Sequence, residues 1–202
     1  MKNRPLLRYV LVMAAVYACW VVLYFLTARI GAQRGPAFDA AIGLDFRIPF
    51  LPVFQYVYAL CYVIPLGVFL VSTEPAWLRR AYTVFIAINA AAFLVFVIFP
   101  VEGPPREETI RQGVNLLQWI HRVDTRYNAF PSLHVANPTL VALLSHERHG
   151  FTRRTFFFTV VALCIAAATL FTKQHYVLDV AAGALLAVLV HRIFRRIWPV
   201  RR

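Results

Sequence analysis

The sequence predicts an all-α, polytopic membrane protein: a bundle of six transmembrane helices, with an amphipathic helix at the interface between the third and fourth. Three observations carry this. Of 202 residues, 60% are hydrophobic and 15% charged, against ~25% charged in soluble domains. Uncharged apolar runs recur along the chain, near the ~20 residues that a helix needs to cross a bilayer. Lys and Arg gather in alternate loops. The net charge of +12 is therefore assigned to membrane-flanking Lys and Arg, and no nucleic-acid partner is expected. Residues 1–202 are read as a single integral membrane domain.

The first helix is expected over about 9–28. Tyr9 to Ala28 is a 20-residue stretch without charge, longer than the apolar core of a cleaved signal peptide, so it is expected to be retained. Residues 29–47 hold Arg29, Arg34, Asp39, Asp45 and Arg47 among Gly31, Gly35, Pro36 and Gly43, which reads as a loop. Ile48 to Pro52 leads into a second helix over about 53–71, kinked at Pro65. A turn over 73–80 precedes a third helix over about 81–99. In the long polar segment that follows, Glu107 and Glu108 suit a helix start. Ile110, Val114, Leu117 and Ile120 then share a face, and Trp119 suits the headgroup level, giving a helix that lies on the membrane. Further helices are expected over about 131–145, 155–172 and 175–196. Arg192, Arg195 and Arg196 reach for the headgroups at the end of the last one.

Six spans place 13 Lys and Arg and two acidic residues on one side, and eight Lys and Arg and seven acidic residues on the other. The first side is expected to be cytoplasmic, with both termini. Arg106, His134 and His175 then all fall at the outer side. Cys19, Cys61 and Cys164 lie in apolar runs with no metal-site spacing, the six His are scattered, and no phosphate-binding Gly-rich loop occurs. Neither a metal nor a cofactor is expected.

The stretch Thr172 to Asp179 interrupts two uncharged runs. A charge at mid-bilayer costs roughly 2.5–3.5 kcal/mol on insertion scales. His175 and Asp179 are four residues apart, so a helix puts them on one face. A carboxylate beside an imidazole fixes its tautomer and raises its basicity. Arg106 offers a planar fork for phosphate oxygens and Lys173 a point charge. Ser132 follows Pro131 at a helix start, where backbone N–H groups favour anions. Taken together, His175 with Asp179 can attack phosphorus, His134 can protonate a leaving oxygen, and Arg106, Ser132 and Lys173 can hold the phosphate. Fixed positive charge does the stabilising, so no metal is required.

Pro104-Pro105-Arg106, Phe130-Pro131-Ser132-Leu133-His134 and Lys173-Gln174-His175-Tyr176-Val177-Leu178-Asp179 resemble the three motifs of the type 2 phosphatidic acid phosphatase superfamily. The variant is most similar to the branch of inositol phosphorylceramide synthases. The motif match covers about residues 100–183. The resemblance implies the same roles: His175 as nucleophile, Asp179 orienting it, His134 as proton donor. Each of the three motifs departs from the phosphatase pattern. Phe99 stands where a Lys precedes Arg106 by seven, Leu133 replaces a Gly, and Ala168 and Thr169 replace a Ser-Arg pair. Lys173 is expected to supply the missing charge from a different place.

The expected protein is a metal-independent lipid phosphate phosphatase. It works through a phosphohistidine at the outer face, most simply of a bacterial inner membrane. Lipid headgroup transfer, as in inositol phosphorylceramide or sphingomyelin synthases, is the alternative. The rival from another class is a non-catalytic lipid transporter, which would carry its charges near mid-bilayer.

Overall fold

The computed structural model of the chain describes residues 4–34, 38–107, 111–112 and 115–199. Gly35, Pro36, Glu108, Ile110 and Val114 of the reading above lie outside them. The chain is mostly helical, at 74%.

Helix α1, Arg4–Gln33, is longer than the apolar run alone. The second helix is broken. Pro52–Phe54 is a 3-10 turn, α2 is Gln55–Ala59, Leu60–Tyr62 and Ile64–Gly67 are again 3-10, and α3 is Val68–Val71. The two halves meet at 50°. Pro65 has no N–H, and its ring crowds the carbonyl four residues back, so the expected kink becomes a full break. Helix α4, Pro75–Ile98, starts six residues before the expected position. Pro75 suits the first helical position. Arg79-Arg80 reads as a polar turn in the sequence, yet Arg80 is buried at 1% exposure by a pairing that no local pattern reveals.

Helix α5, Asn115–Val123, is the described part of the amphipathic segment. It buries Leu117 and Ile120 with Tyr58, Cys61 and Ile165 and leaves Trp119 exposed. Helix α6, Leu133–His149, ends at Gly150 with φ +65° and ψ -150°, a conformation essentially confined to glycine. Helix α7 is Arg153–Phe171 and α8 is Val177–Ile197. A two-residue parallel pair joins β1, Phe38–Asp39, to β2, Val101–Glu102.

Among the described residues four helices are long and apolar enough to cross a membrane: α1, α4, α7 and α8. The bent pair makes a fifth if it counts as one span. Helix α6 has 17 residues, a length of about 26 Å. Its faces are covered: Leu133, Ala136, Leu140, Val141 and Leu144 join Trp77, Ile88, Phe96 and Phe158 in the main core.

At the end of the bundle where α6 finishes, Arg80 donates to both Glu147 carboxylate oxygens, at 2.8 and 3.0 Å, and to the Trp198 carbonyl at 2.8 Å. His191 lies 3.0 Å from the same carboxylate. This buried network ties α4, α6 and α8 together at the end opposite the sequence motifs.

Candidate active site

The helix starts of α6 and α8 meet at one end of the bundle. Phe130–Pro131 is cis. The Ser132 amide donates to the Asp179 carbonyl at 3.0 Å, so the second and third motifs are joined by backbone. The contact is tight because residue 183 is glycine. A Cβ there would lie 2.3 Å from the Ser132 carbonyl oxygen. The Ser132 hydroxyl is fully buried and has no protein partner among the described residues. Pro138 continues α6 but has no N–H to offer the His134 carbonyl.

The approach to His175 is a local device. Helix α7 ends with Lys173 at φ +54°. The Lys173 amide donates to the Leu170 carbonyl at 3.1 Å, and the Gln174 amide to Thr169 at 2.9 Å. These are the two bonds of a Schellman stop, normally built on glycine. The Lys173 ammonium offsets part of the strain by donating to the Asp45 and Ile48 carbonyls, at 2.8 and 2.6 Å. It therefore holds the 45–48 segment. Asp45 accepts from the Val177 amide at 2.8 Å, satisfying a first-turn N–H of α8.

Asp179 is fully buried. One of its oxygens accepts from the Tyr176 amide at 2.8 Å and lies 3.4 Å from His175 Nδ1. His175 is 6% exposed. Its ring centroid is 5.4 Å from that of His134, the planes inclined by 55°. His134 Nδ1 lies 3.2 Å from Cys61 Sγ, and its Nε2 lies 3.1 Å from the Tyr58 hydroxyl and 3.5 Å from Asp124 Oδ2. Arg106 donates through Nη1 to the carbonyls of His121 and Asp124, at 3.1 and 2.9 Å, closing the end of α5.

The pKa values of the groups between the helices follow from burial and charge. Burial, and next the Arg106 guanidinium, lower His121 from 6.5 to about 4. Burial works to raise the pKa of Asp124. The His134 hydrogen bond and charge, Arg106 and the Tyr24 hydroxyl outweigh it and hold the carboxyl well below the usual carboxylate range. Burial lowers Lys173, against Asp45, and raises Tyr176.

From His134 and Asp124 an apolar cleft of about 360 Å³ opens between α1 and the broken helix, lined by Tyr17, Trp20, Tyr24 and Tyr62. It adjoins a second of about 290 Å³, deeper along Tyr17, Tyr62, Pro65 and Phe69. Among the described residues no group of three His, Cys, Asp or Glu side chains could hold a metal ion.

His175 and Asp179 are thus in contact, His134 faces His175, and the Ser132 backbone is bonded to Asp179. Arg106 joins the same end through α5, while the Lys173 ammonium is engaged with loop carbonyls. Asp124, Asp45, Tyr58 and Tyr24 escaped the sequence reading. For Asp124 one signal existed: it is the only acidic residue between Glu108 and Glu147.

No curated protein and no solved structure matches the chain. A family model described as the PAP2 superfamily matches residues 26–193, a range that contains all three motifs. The chain therefore belongs to the PAP2 superfamily, whose members are generally phosphatases or phosphotransferases.

Proposed function

We propose that the chain is a membrane-embedded lipid phosphate phosphatase that works through a phosphohistidine at the outer membrane face. The observation that carries this reading is the pair of imidazoles at the starts of α6 and α8, 5.4 Å between centroids, one backed by a buried carboxylate. His175 Nδ1 faces Asp179, so Nε2 is the attacking atom. His175 Nε2 bonds to phosphorus as the P–O bond to the lipid alcohol breaks. The electron pair stays on that oxygen, and His134 protonates it. Water then attacks phosphorus, the N–P bond breaks, and the proton from water returns to His134.

Phosphate oxygens are assigned to the Ser132 hydroxyl, the first amides of α6 and the Arg106 N–H groups without a carbonyl partner among the described residues. Lys173 contributes charge from the rim while it holds the 45–48 segment. The lipid tail is assigned to the cleft beside α1, whose polar end is His134 and Asp124. The distribution of 13 against eight Lys and Arg supports an extracytoplasmic site, and α5 with exposed Trp119 suits the interface.

Headgroup transfer is the second reading. Leu133 in the second motif favours it, and so does the apolar cleft, which excludes water and admits a lipid acceptor. The test is phosphate release from a panel of lipid phosphates in detergent with EDTA, for the intact protein and His175→Ala. Release that survives EDTA and vanishes in the variant supports the phosphatase. A new phosphodiester, formed only when an acceptor lipid is added, supports the transferase. Equal behaviour of variant and intact protein removes His175 as nucleophile.

A further inference from the structure

Two imidazoles face each other across the site, and each has a carboxylate behind it. The His175–Asp179 pair was legible in the sequence. The other pair is formed by residues ten apart that belong to different elements. Asp124 follows α5, and His134 is the second residue of α6.

The Asp124 side chain is only 9% exposed, and it is held from several directions. Oδ1 accepts from the Tyr24 hydroxyl of α1 and from the Thr125 amide at 2.8 Å. The Asp124 amide donates to the Ile120 carbonyl at 2.7 Å. The Asp124 carbonyl accepts from Arg106 at 2.9 Å. Oδ2 is thereby aimed at the Tyr58 hydroxyl, 3.3 Å away, and at His134 Nε2, 3.5 Å away. The other groups around His134 are weak or neutral partners: the Tyr58 hydroxyl, Cys61 Sγ and the Tyr62 ring edge. The His175 ring also packs beside it, centroids 5.4 Å apart.

We propose that Asp124 is a positioning residue of the reaction, holding the Nε2–H of His134 so that the ring stays charged and its Nδ1–H is the proton given to the leaving oxygen. This rests on the reading above, in which His134 protonates the departing alcohol. The division of labour follows from the partners. Nε2–H lies between the Tyr58 hydroxyl, 3.1 Å away, and the fixed Asp124 carboxylate, 3.5 Å away, and is retained. Nδ1–H faces only a thiol sulfur, a weak acceptor, and an alkoxide oxygen displaces it easily. The proton moves from Nδ1 to that oxygen as the P–O bond breaks. It comes back to Nδ1 from the attacking water in the second half. Asp124 itself gains and loses nothing. Its charge compensates the imidazolium, as a buried carboxylate does behind any catalytic imidazole.

The test compares substrates that differ in their need for that proton. An alkyl phosphate leaves as an alkoxide and requires it; p-nitrophenyl phosphate leaves as a stable phenolate and does not. The readout is the ratio of kcat/KM for a soluble alkyl phosphate over that for p-nitrophenyl phosphate, measured on the full chain in detergent. His134→Ala defines the signature, a fall in this ratio. Asp124→Asn is expected to lower the ratio about 10²-fold, the low end of what general acids contribute, mainly through kcat. Asp124→Glu is expected to recover part of it. Tyr24→Phe, which loosens Oδ1 but keeps the carboxylate, is expected to lower the ratio less. It serves as the measurement if Asp124→Asn does not fold.

If His134→Ala shows the signature while Asp124→Asn and Tyr24→Phe lower both substrates equally, or neither, Asp124 is only a structural residue and the inference is overturned. If His134→Ala itself lacks the signature, the general-acid role fails, and this inference falls with it.

Discussion

Gly183→Ala is the sharpest test of how the site is built. The added Cβ would stand 2.3 Å from the Ser132 carbonyl oxygen, 3.1 Å from its carbonyl carbon and 3.3 Å from its nitrogen. Ordinary contact begins near 3.4 Å, so α6 and α8 must separate by about 1 Å at this point. The clash is with backbone, and no side chain can rotate away to relieve it. Overpacking of this kind costs about 1–3 kcal/mol, a fall in Tm of about 2–12 °C for a chain of this size. The separation also stretches the Ser132–Asp179 backbone bond, 3.0 Å at rest, and moves His134 away from His175. A misplacement of about 1 Å can cost 10²-fold in rate. The assay is thermal unfolding together with phosphate release below the variant's Tm. Gly43→Ala, where a Cβ meets nothing within 4 Å, is the control and should match the parent. If Gly183→Ala keeps the parent Tm and turns over within about threefold of it, helix contact at Ser132 does not set the site geometry.

Three further outcomes are expected. Arg80→Met should destabilise by about 3–5 kcal/mol, because it leaves the Glu147 carboxylate buried without its bidentate partner. Calorimetry checks this, and Arg80→Met/Glu147→Gln should regain much of the loss. Lys173→Gly should be more stable than Lys173→Ala. Both lose the two carbonyl bonds, but only glycine removes the left-handed strain of about 1–2 kcal/mol, which chemical denaturation resolves. For His121 the folded pKa of about 4 lies below the ordinary 6.5. Between these values the unfolded chain binds more protons, so stability should fall as pH drops from 6.5 toward 4 and level off below. His121→Gln should flatten that slope in a pH series of melting curves; an unchanged slope assigns the effect to another group.

Much of the site was legible because its parts are short and local. His175 and Asp179 stand four residues apart at the start of α8, with His175 just ahead of the helix, and Pro131-Ser132 marks a helix start. Both signals are written within a few residues. What escaped depends on contacts between distant elements. Asp124 stands beside His134 because α5 delivers it there, and nothing in the stretch around it advertises that. Lys173 reads as a phosphate ligand from its position in the motif, yet the left-handed stop aims its side chain at the 45–48 carbonyls. Helix α4 starts early because Arg80 finds Glu147, 67 residues away; a pair of arginines otherwise reads as solvent-facing. Pro65 signalled a kink, but the extent of the 3-10 break follows from packing on α6 and α7. Helix α6, 17 residues long, is covered by protein, so its sequence answers to neighbours and not to lipid.

The position of α1 separates two tasks. It packs against α4, and its inner face, with Tyr17 and Trp20, walls the cleft, while the imidazoles and their carboxylates come from α6, α8 and the end of α5. Its link to Asp124 is the Tyr24 hydroxyl. Substitutions along α1 can therefore reshape what the cleft admits while the reacting groups stay where they are. Apart from Tyr24, the residues of α1 that wall the cleft are separate from the groups proposed to react.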